Sequence, residues 1–543
     1  MKRPDLEREP MRRGACQISR DAIGAVRPGV SPPRKKAGKQ GAHHEGESLP
    51  NRCPMGTPIE GDHVRMTPGP TESNSSGQHR GMEPSTMNFT PPYPKPHKSK
   101  SSFFLRFLRG WNSWLDVLFE RSYKMKMGHI RQPGLDIYMV NDKDWLRTIL
   151  SDHRIYPKHP LMHRMLEPLL GNGIFTTNGK VWERQRALVD QAFAHARLKL
   201  VFGLMADAVG DMLARMDKVA DGSSVEMDSE MTFVTADIIF RTILTETLDE
   251  RSAKEIYDAF AEFQHHAQRA LILMLYRLPP YFATRASQRA ATRIRGALSK
   301  IIARRVAESQ LPNPPVYSDI LAGLMEARDP VSQDSFSYEE LVDQVCVLFL
   351  AGHETSASAL TWALYLVSHS PEMQQRMLEE IEREVGARPF EMSDMKSLSC
   401  VGDVFREALR LYPPVAFFAR EATHEHCIRD KKVKPGAPIM IAPWLLHRHR
   451  DYWERPDEFD PTRFTTPEGK ESAKCAYLPF SKGPRVCIGA AYATQEAVLI
   501  LASIVRRFRV EPDKDHVPMP VGRVTVRSDN GVRVKLIPRQ KAA

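Results

Sequence analysis

Cys487 lies between two glycines in the stretch Phe480-Ser481-Lys482-Gly483-Pro484-Arg485-Val486-Cys487-Ile488-Gly489, near the C-terminus of a 543-residue chain. An arginine stands two positions before it, and an apolar, helix-compatible run from Ala490 to Phe508 follows at once. Backbone N–H groups and the dipole at a helix N-terminus stabilise a negative sulfur and lower a cysteine pKa. Gly483 and Gly489 let the backbone turn tightly and approach a flat ligand closely. An anionic sulfur presented in this way suits axial ligation of a haem iron that activates oxygen. The other cysteines, Cys16, Cys53, Cys346, Cys400, Cys427 and Cys475, show no paired spacing. Neither a disulfide framework nor a zinc site is expected, and the default compartment is a reducing one.

A second cluster interrupts an apolar run. Ser337 and Glu340 have the spacing of a capping box. The helix they start reaches Leu350, meets Ala351-Gly352-His353-Glu354-Thr355-Ser356, and continues through Trp362 and Leu366. Gly352 weakens a helix, and Thr355 can bond back to the preceding turn, so a local widening or kink is expected. The carboxyl of Glu354 and the hydroxyl of Thr355 are groups able to pass protons.

Glu407 and Arg410, three apart, share one face of a predicted helix, and so do Trp182 and Arg186, four apart. An indole N–H and a guanidinium suit a carboxylate partner. His43, His44, His265 and His266 lack a supporting carboxylate or cysteine pattern and read as non-ligating.

In order and spacing these segments resemble the cytochrome P-450 family. The stretch from Phe480 to Gly489 matches Phe-x-x-Gly-x-Arg-x-Cys-x-Gly at Phe480, Gly483, Arg485, Cys487 and Gly489. Ala351 to Thr355 resembles the oxygen-activation motif Ala-Gly-x-Glu/Asp-Thr. Glu407 and Arg410 resemble Glu-x-x-Arg. Arg463, in Asp460-Pro461-Thr462-Arg463-Phe464, falls where the family often has Pro-Glu-Arg-Phe, with Thr462 departing from it. The resemblance implies haem b ligated by the Cys487 thiolate, with Phe480 and Gly489 of the same loop also binding the cofactor. It implies Thr355 and Glu354 as the proton-delivery pair, and Trp182, Arg186, Arg420 and Arg485 as propionate partners. Glu407, Arg410 and Arg463 become a structural clamp. The loop before Trp182, the segment Leu271 to Phe282, and Val415 to Phe418 would line the substrate pocket.

The elements that must position these residues are mostly helical from Asp142 to about Leu411. Short strands are expected at Gly134 to Asn141, near Ile439 to Ile441, and from Arg523 to Ile537. The fold class is mainly α with a small β-sheet portion, the cytochrome P-450 fold by resemblance. Residues 1–98 hold 15 of the 41 prolines, and residues 1–100 carry 17 Lys and Arg against 10 Asp and Glu. That composition predicts a disordered, basic extension ahead of one domain over 99–543, with Met87 as an alternative start. Most of the chain's net charge of +11 belongs to this extension, so no nucleic-acid surface is expected. Ser101 to Tyr123 reads as an amphipathic first core helix, or a membrane-surface segment. No stretch is apolar and long enough to span a bilayer.

The resemblance therefore implies a soluble, bacterial-type member: a cytoplasmic monomer using O2, a lipophilic small molecule, and electrons from a ferredoxin or flavodoxin. A peroxide-using peroxygenase or isomerase, and a haem-binding sensor or electron carrier, remain as alternatives.

Overall fold

A computed structural model describes residues 89–132, 135–247 and 250–539. All of them fall within the unit Asn51–Ala543. The expected disorder of residues 1–88, the alternative start at Met87, and Cys16, His43, His44 and Cys53 lie outside the described residues. Residues 89–98, assigned from sequence to the extension, are packed. Phe89 stacks on His369 with ring centres 4.5 Å apart. The Tyr412 hydroxyl donates to the Pro92 carbonyl at 2.7 Å. Proline-rich composition concealed two anchors, Phe89 and Tyr93, that pack against the core.

The described residues are mainly helical with small sheets. Their axis is the central helix Tyr338–Ser368, buried along nearly its whole length. Its capping box is complete: Ser337 Oγ accepts from the Glu340 N–H at 3.2 Å, and Glu340 Oε2 accepts from the Ser337 N–H at 2.9 Å. Helices Met227–Leu244, Ser399–Leu411 and Ala490–Arg507 pack against it. The expected widening at Gly352 does not occur, since the helix runs unbroken. Gly352 serves close approach instead: a Cβ there would lie 2.3 Å from Ile239 Cδ1 on the neighbouring helix.

Strand Leu135–Val140 pairs antiparallel with Met127–Gln132 and parallel with Pro438–Ile441, which in turn pairs antiparallel with Phe418–Glu421. This sheet holds Arg420 opposite Ile439. A second sheet joins Ser224–Glu226, Arg533–Pro538 and Phe508–Pro512.

Ser101 to Tyr123 is not one core helix. It divides into helix Phe103–Gly110 and two short 3-10 turns, and only Gly110 of that helix is buried. Phe103, Phe104, Leu105 and Leu108 face outward, while Leu115 and Leu118 in the turns enter the core. Among the described residues no helix is long and apolar enough to cross a membrane. Cys346, Cys400, Cys475 and Cys487 are free thiols.

Candidate active site

The cysteine loop is closed by its own backbone. The Cys487 N–H donates to the Phe480 carbonyl at 2.9 Å, and the Val486 N–H to the Gly483 carbonyl at 3.0 Å. Gly483 has φ +75°, and a Cβ there would lie 2.1 Å from the Leu150 carbonyl oxygen. Only glycine fits that contact. Gly489 has φ −83° and precedes helix Ala490–Arg507. Its role is its N–H, which hydrogen-bonds the Cys487 sulfur.

Cys487 counts as exposed only because it opens onto an internal cavity of about 310 Å³. Burial pushes its thiol up, and the Gly489 N–H and the Arg186 charge pull it back only in part. The helix terminus alone therefore does not make the thiolate expected from sequence. A cationic centre against the sulfur would, since a coordinated thiol is deprotonated outright.

The opposite wall comes from the central helix, through Ala351, Gly352, Thr355 and Ser356. Thr355 Oγ1 donates to the Ala351 carbonyl at 2.6 Å. The Ser356 hydroxyl donates to Glu496 Oε2 at 2.6 Å, while Glu496 Oε1 has no partner among the described residues. Burial pushes the Glu496 carboxyl up to about 8. Glu354 is not in this wall. Its side chain meets Arg527 and Thr525, away from the cavity.

Cations gather at the cavity: Lys158, Arg186, Arg420 and Arg485 line it, and among the described residues no aspartate or glutamate does. Arg420 is buried, and its Nε and Nη1 have no partner among the described residues. Burial lowers its pKa to about 10. Arg485 lies over the Trp182 ring at 4.0 Å and donates to the Thr177 carbonyl and Asn178 Oδ1. Burial, then Arg420, lowers it to about 9. Burial and these two arginines push Lys158 well down. Arg186 is already engaged, by Asp190 at 3.0 Å and by the Val486 carbonyl at 2.8 Å. It ties the loop to helix Gly179–Ala192, and the unsatisfied charge is on Arg420, Arg485 and Lys158. Orphaned buried guanidinium N–H groups are costly unless an anion meets them. A flat apolar ring with two acid substituents and a thiolate-binding metal, which is haem, fits this donor set.

Glu407, Arg410 and Arg463 form a buried cluster. Glu407 accepts both oxygens' worth of bonds from Arg410 at 2.8 Å and one from Arg463 Nε at 3.0 Å. Arg410 also donates to the carbonyls of His447, Pro456 and Glu458. His447 bridges within the same core: its Nε2 accepts from the Leu478 N–H at 2.8 Å, leading toward the cysteine loop.

A second cavity of about 640 Å³ adjoins the first, with Met162, Phe418 and Ala419 lining both. Leu271, Tyr276 and Phe417 line it, as the sequence reading placed them, whereas Phe282 is 84% exposed. Phe175 and Val415 line the smaller cavity. Sequence reading missed Lys158, Arg527 and Glu496. Lys158 had a faint signal in the proline break around Pro157, but the partners of the other two are distant in sequence.

The family model for Cytochrome P450 matches residues 100–535. Cyclooctatin synthase of Streptomyces melanosporofaciens is 31% identical over 69% of this chain and 81% of its own. Taurochenodeoxycholic 6 alpha-hydroxylase of Sus scrofa is 29% identical over 73% and 81%. Cytokinin hydroxylase of Arabidopsis thaliana is 29% identical over 74% and 78%. Bacterial, animal and plant proteins resemble this chain to similar degrees, so the comparison does not single out a bacterial type.

Proposed function

Because the chain belongs to the cytochrome P450 family, and so is a haem-thiolate monooxygenase, we propose how its own residues divide that work. Haem, when bound, supplies the oxygen-insertion chemistry. Cys487 is its thiolate ligand, with the Gly489 N–H helping to hold the negative sulfur. Arg420, Arg485 and Lys158 take the propionates, and Trp182 supports Arg485 from beneath. Arg186 fixes the loop that presents the sulfur, and Phe480 closes that loop.

Thr355 Oγ1 faces the cavity opposite Cys487 and, by turning from the Ala351 carbonyl, can donate a proton into it. Glu354 is the ionised carboxylate beside it, held back by Arg527. Apolar groups such as Ile239, Val347 and Ala359 keep water out of the space between. Glu407, Arg410 and Arg463 serve folding and haem incorporation.

The observation that carries the reading is a single cavity lined by both Cys487 and Thr355, with Arg420, Arg485 and Lys158 at its margin and no carboxylate among its described lining residues. Electrons come from a ferredoxin or flavodoxin, and the reaction is assigned to the cytoplasm. Lys482, exposed on the cysteine loop, offers that donor a positive contact. Arg406 contributes less, being paired with Asp403 and stacked on Phe464.

The test is turnover of a lipophilic substrate under isotopically labelled O2 with ferredoxin and reductase. One labelled atom in the product, dependent on the donor, is expected. Product formed only from peroxide would overturn the reading in favour of a peroxygenase, and haem binding without turnover in favour of a sensor.

A further inference from the structure

The larger cavity carries charge of one sign only. Lys98, Lys100, Arg106, Arg121, Lys431 and Arg523 contribute to its wall, and among the described residues no aspartate or glutamate does. Lys431 and Arg523 are neutralised by Asp430 and Asp529. Arg106, on helix Phe103–Gly110, is partly buried and has no carboxylate partner among the described residues. Its Nη1 donates to the Ser101 carbonyl at 2.9 Å and its guanidinium hydrogen-bonds the Tyr276 hydroxyl, while its Nε is buried with no partner among the described residues. Lys100 adds a second charge close enough that burial and Arg106 together depress it. Keeping an unsatisfied guanidinium N–H on a cavity wall is unfavourable unless an acceptor enters.

The rest of the wall is apolar and deformable. Met125, Met127, Met139, Met162, Met165 and Met440 all face it. Methionine adapts to irregular apolar shapes better than branched side chains do. Met162 also borders the cavity of Cys487, whereas Arg106 does not. Arg106 and Cys487 therefore line different cavities, which adjoin at Met162, Phe418 and Ala419.

We propose that the substrate is an amphipathic carboxylate, a long apolar body whose acid group binds Arg106 while a remote carbon reaches the Cys487 cavity. The proposal rests on the monooxygenase reading, since it names what that site takes. In the reaction a remote C–H bond becomes C–OH. The second atom of O2 leaves as water, with two electrons from the ferredoxin or flavodoxin donor and two protons from solvent.

The experiment is calorimetric titration of the haem-loaded protein with dodecanoate, dodecan-1-ol and dodecyltrimethylammonium at low and high salt. Dodecanoate should bind about tenfold or more tightly than the alcohol, and the preference should shrink with salt. The cationic chain should bind worst. Arg106→Gln should reduce the preference for carboxylate over alcohol to within about threefold. The comparison of probes on the unsubstituted protein stands even if that variant folds poorly.

Equal binding of acid and alcohol, tighter binding of the cation, no binding of the acid, or an unchanged preference in a folded Arg106→Gln protein would each overturn the proposal. The carbon monoxide spectrum of the same preparation reports separately on the monooxygenase reading. A thiolate spectrum without carboxylate preference sinks the substrate assignment alone.

Discussion

Glu354 and Arg527 form a two-point ion pair behind the central helix, with Nη2–Oε2 at 2.7 Å and Nε–Oε1 at 3.0 Å. Thr525 Oγ1 donates to the same carboxylate at 2.6 Å. Burial pushes the Glu354 carboxyl up, but Arg527 outweighs it and holds the group at about 2. Glu354 is thus an ionised acceptor at neutral pH.

A carboxyl depressed in this way adds stability that is fully present above about pH 4.3 and is lost as pH falls through about 2. Arg527→Gln leaves that charge buried and unpaired, and it also removes the cation 3.8 Å from Asp228, a group burial already holds at about 6. The expected cost is about 3–5 kcal/mol at pH 7. It should shrink as pH is lowered toward 4, because both carboxyls then take protons in the variant. Urea midpoints at several pH values check this; a difference that does not vary with pH would remove the Glu354 charge from the account.

Thr355→Ala deletes one hydroxyl at the cavity wall and leaves the helix intact. Haem content should stay at the level of the unsubstituted protein, with stability changed by about 1 kcal/mol or less. Product per reducing equivalent should fall severalfold, with peroxide appearing in its place. Measuring donor consumption, product and peroxide together decides it, and unchanged coupling would move proton delivery to another group.

The residues that line the cavity were largely legible in sequence and their electrostatics were not. Cys487, Gly483 and Thr355 could be picked out because a tight turn and a polar break in an apolar helix leave local marks. The capping box at Ser337 and Glu340 and the Glu407–Arg410 spacing were readable for the same reason. The partners that set charge come from far along the chain: Arg527 for Glu354, Ser356 for Glu496, and Lys158 beside Arg420 across two paired segments. Gly352 misled because a helix-weakening residue and a close-packing residue look alike until Ile239 is placed against it. Ser101 to Tyr123 misled because an apolar stripe does not reveal which face meets protein.

Glu407 holds two arginines at once with every oxygen engaged. Glu407→Ala strands Arg410 and Arg463 in the core, at a cost of about 3–5 kcal/mol. Purified protein should contain well under half the haem of the unsubstituted form and melt lower. Full haem occupancy at an unchanged melting temperature would show the cluster to be dispensable.

Glu496 supplies the opposite pH signature. Its folded pKa is raised to about 8, by burial first. Between about pH 4.3 and 8 the unfolded chain is ionised there while the folded protein stays protonated, so its contribution to stability falls as pH rises. Glu496→Gln keeps a hydrogen-bonding partner for Ser356 and removes the titration. Against the unsubstituted protein, the variant should gain relative stability steadily from pH 5 to 8. Parallel stability curves across that range would contradict a neutral buried carboxyl.

The central claim is that Cys487 ligates the haem iron through its sulfur. The direct measurement is the absorption spectrum of the reduced protein with carbon monoxide, for the unsubstituted chain and for Cys487→His. The unsubstituted protein should show the long-wavelength Soret band of thiolate ligation, and the variant should lose it while still binding haem. A variant that keeps the band, or an unsubstituted protein that binds haem and lacks it, would contradict the assignment.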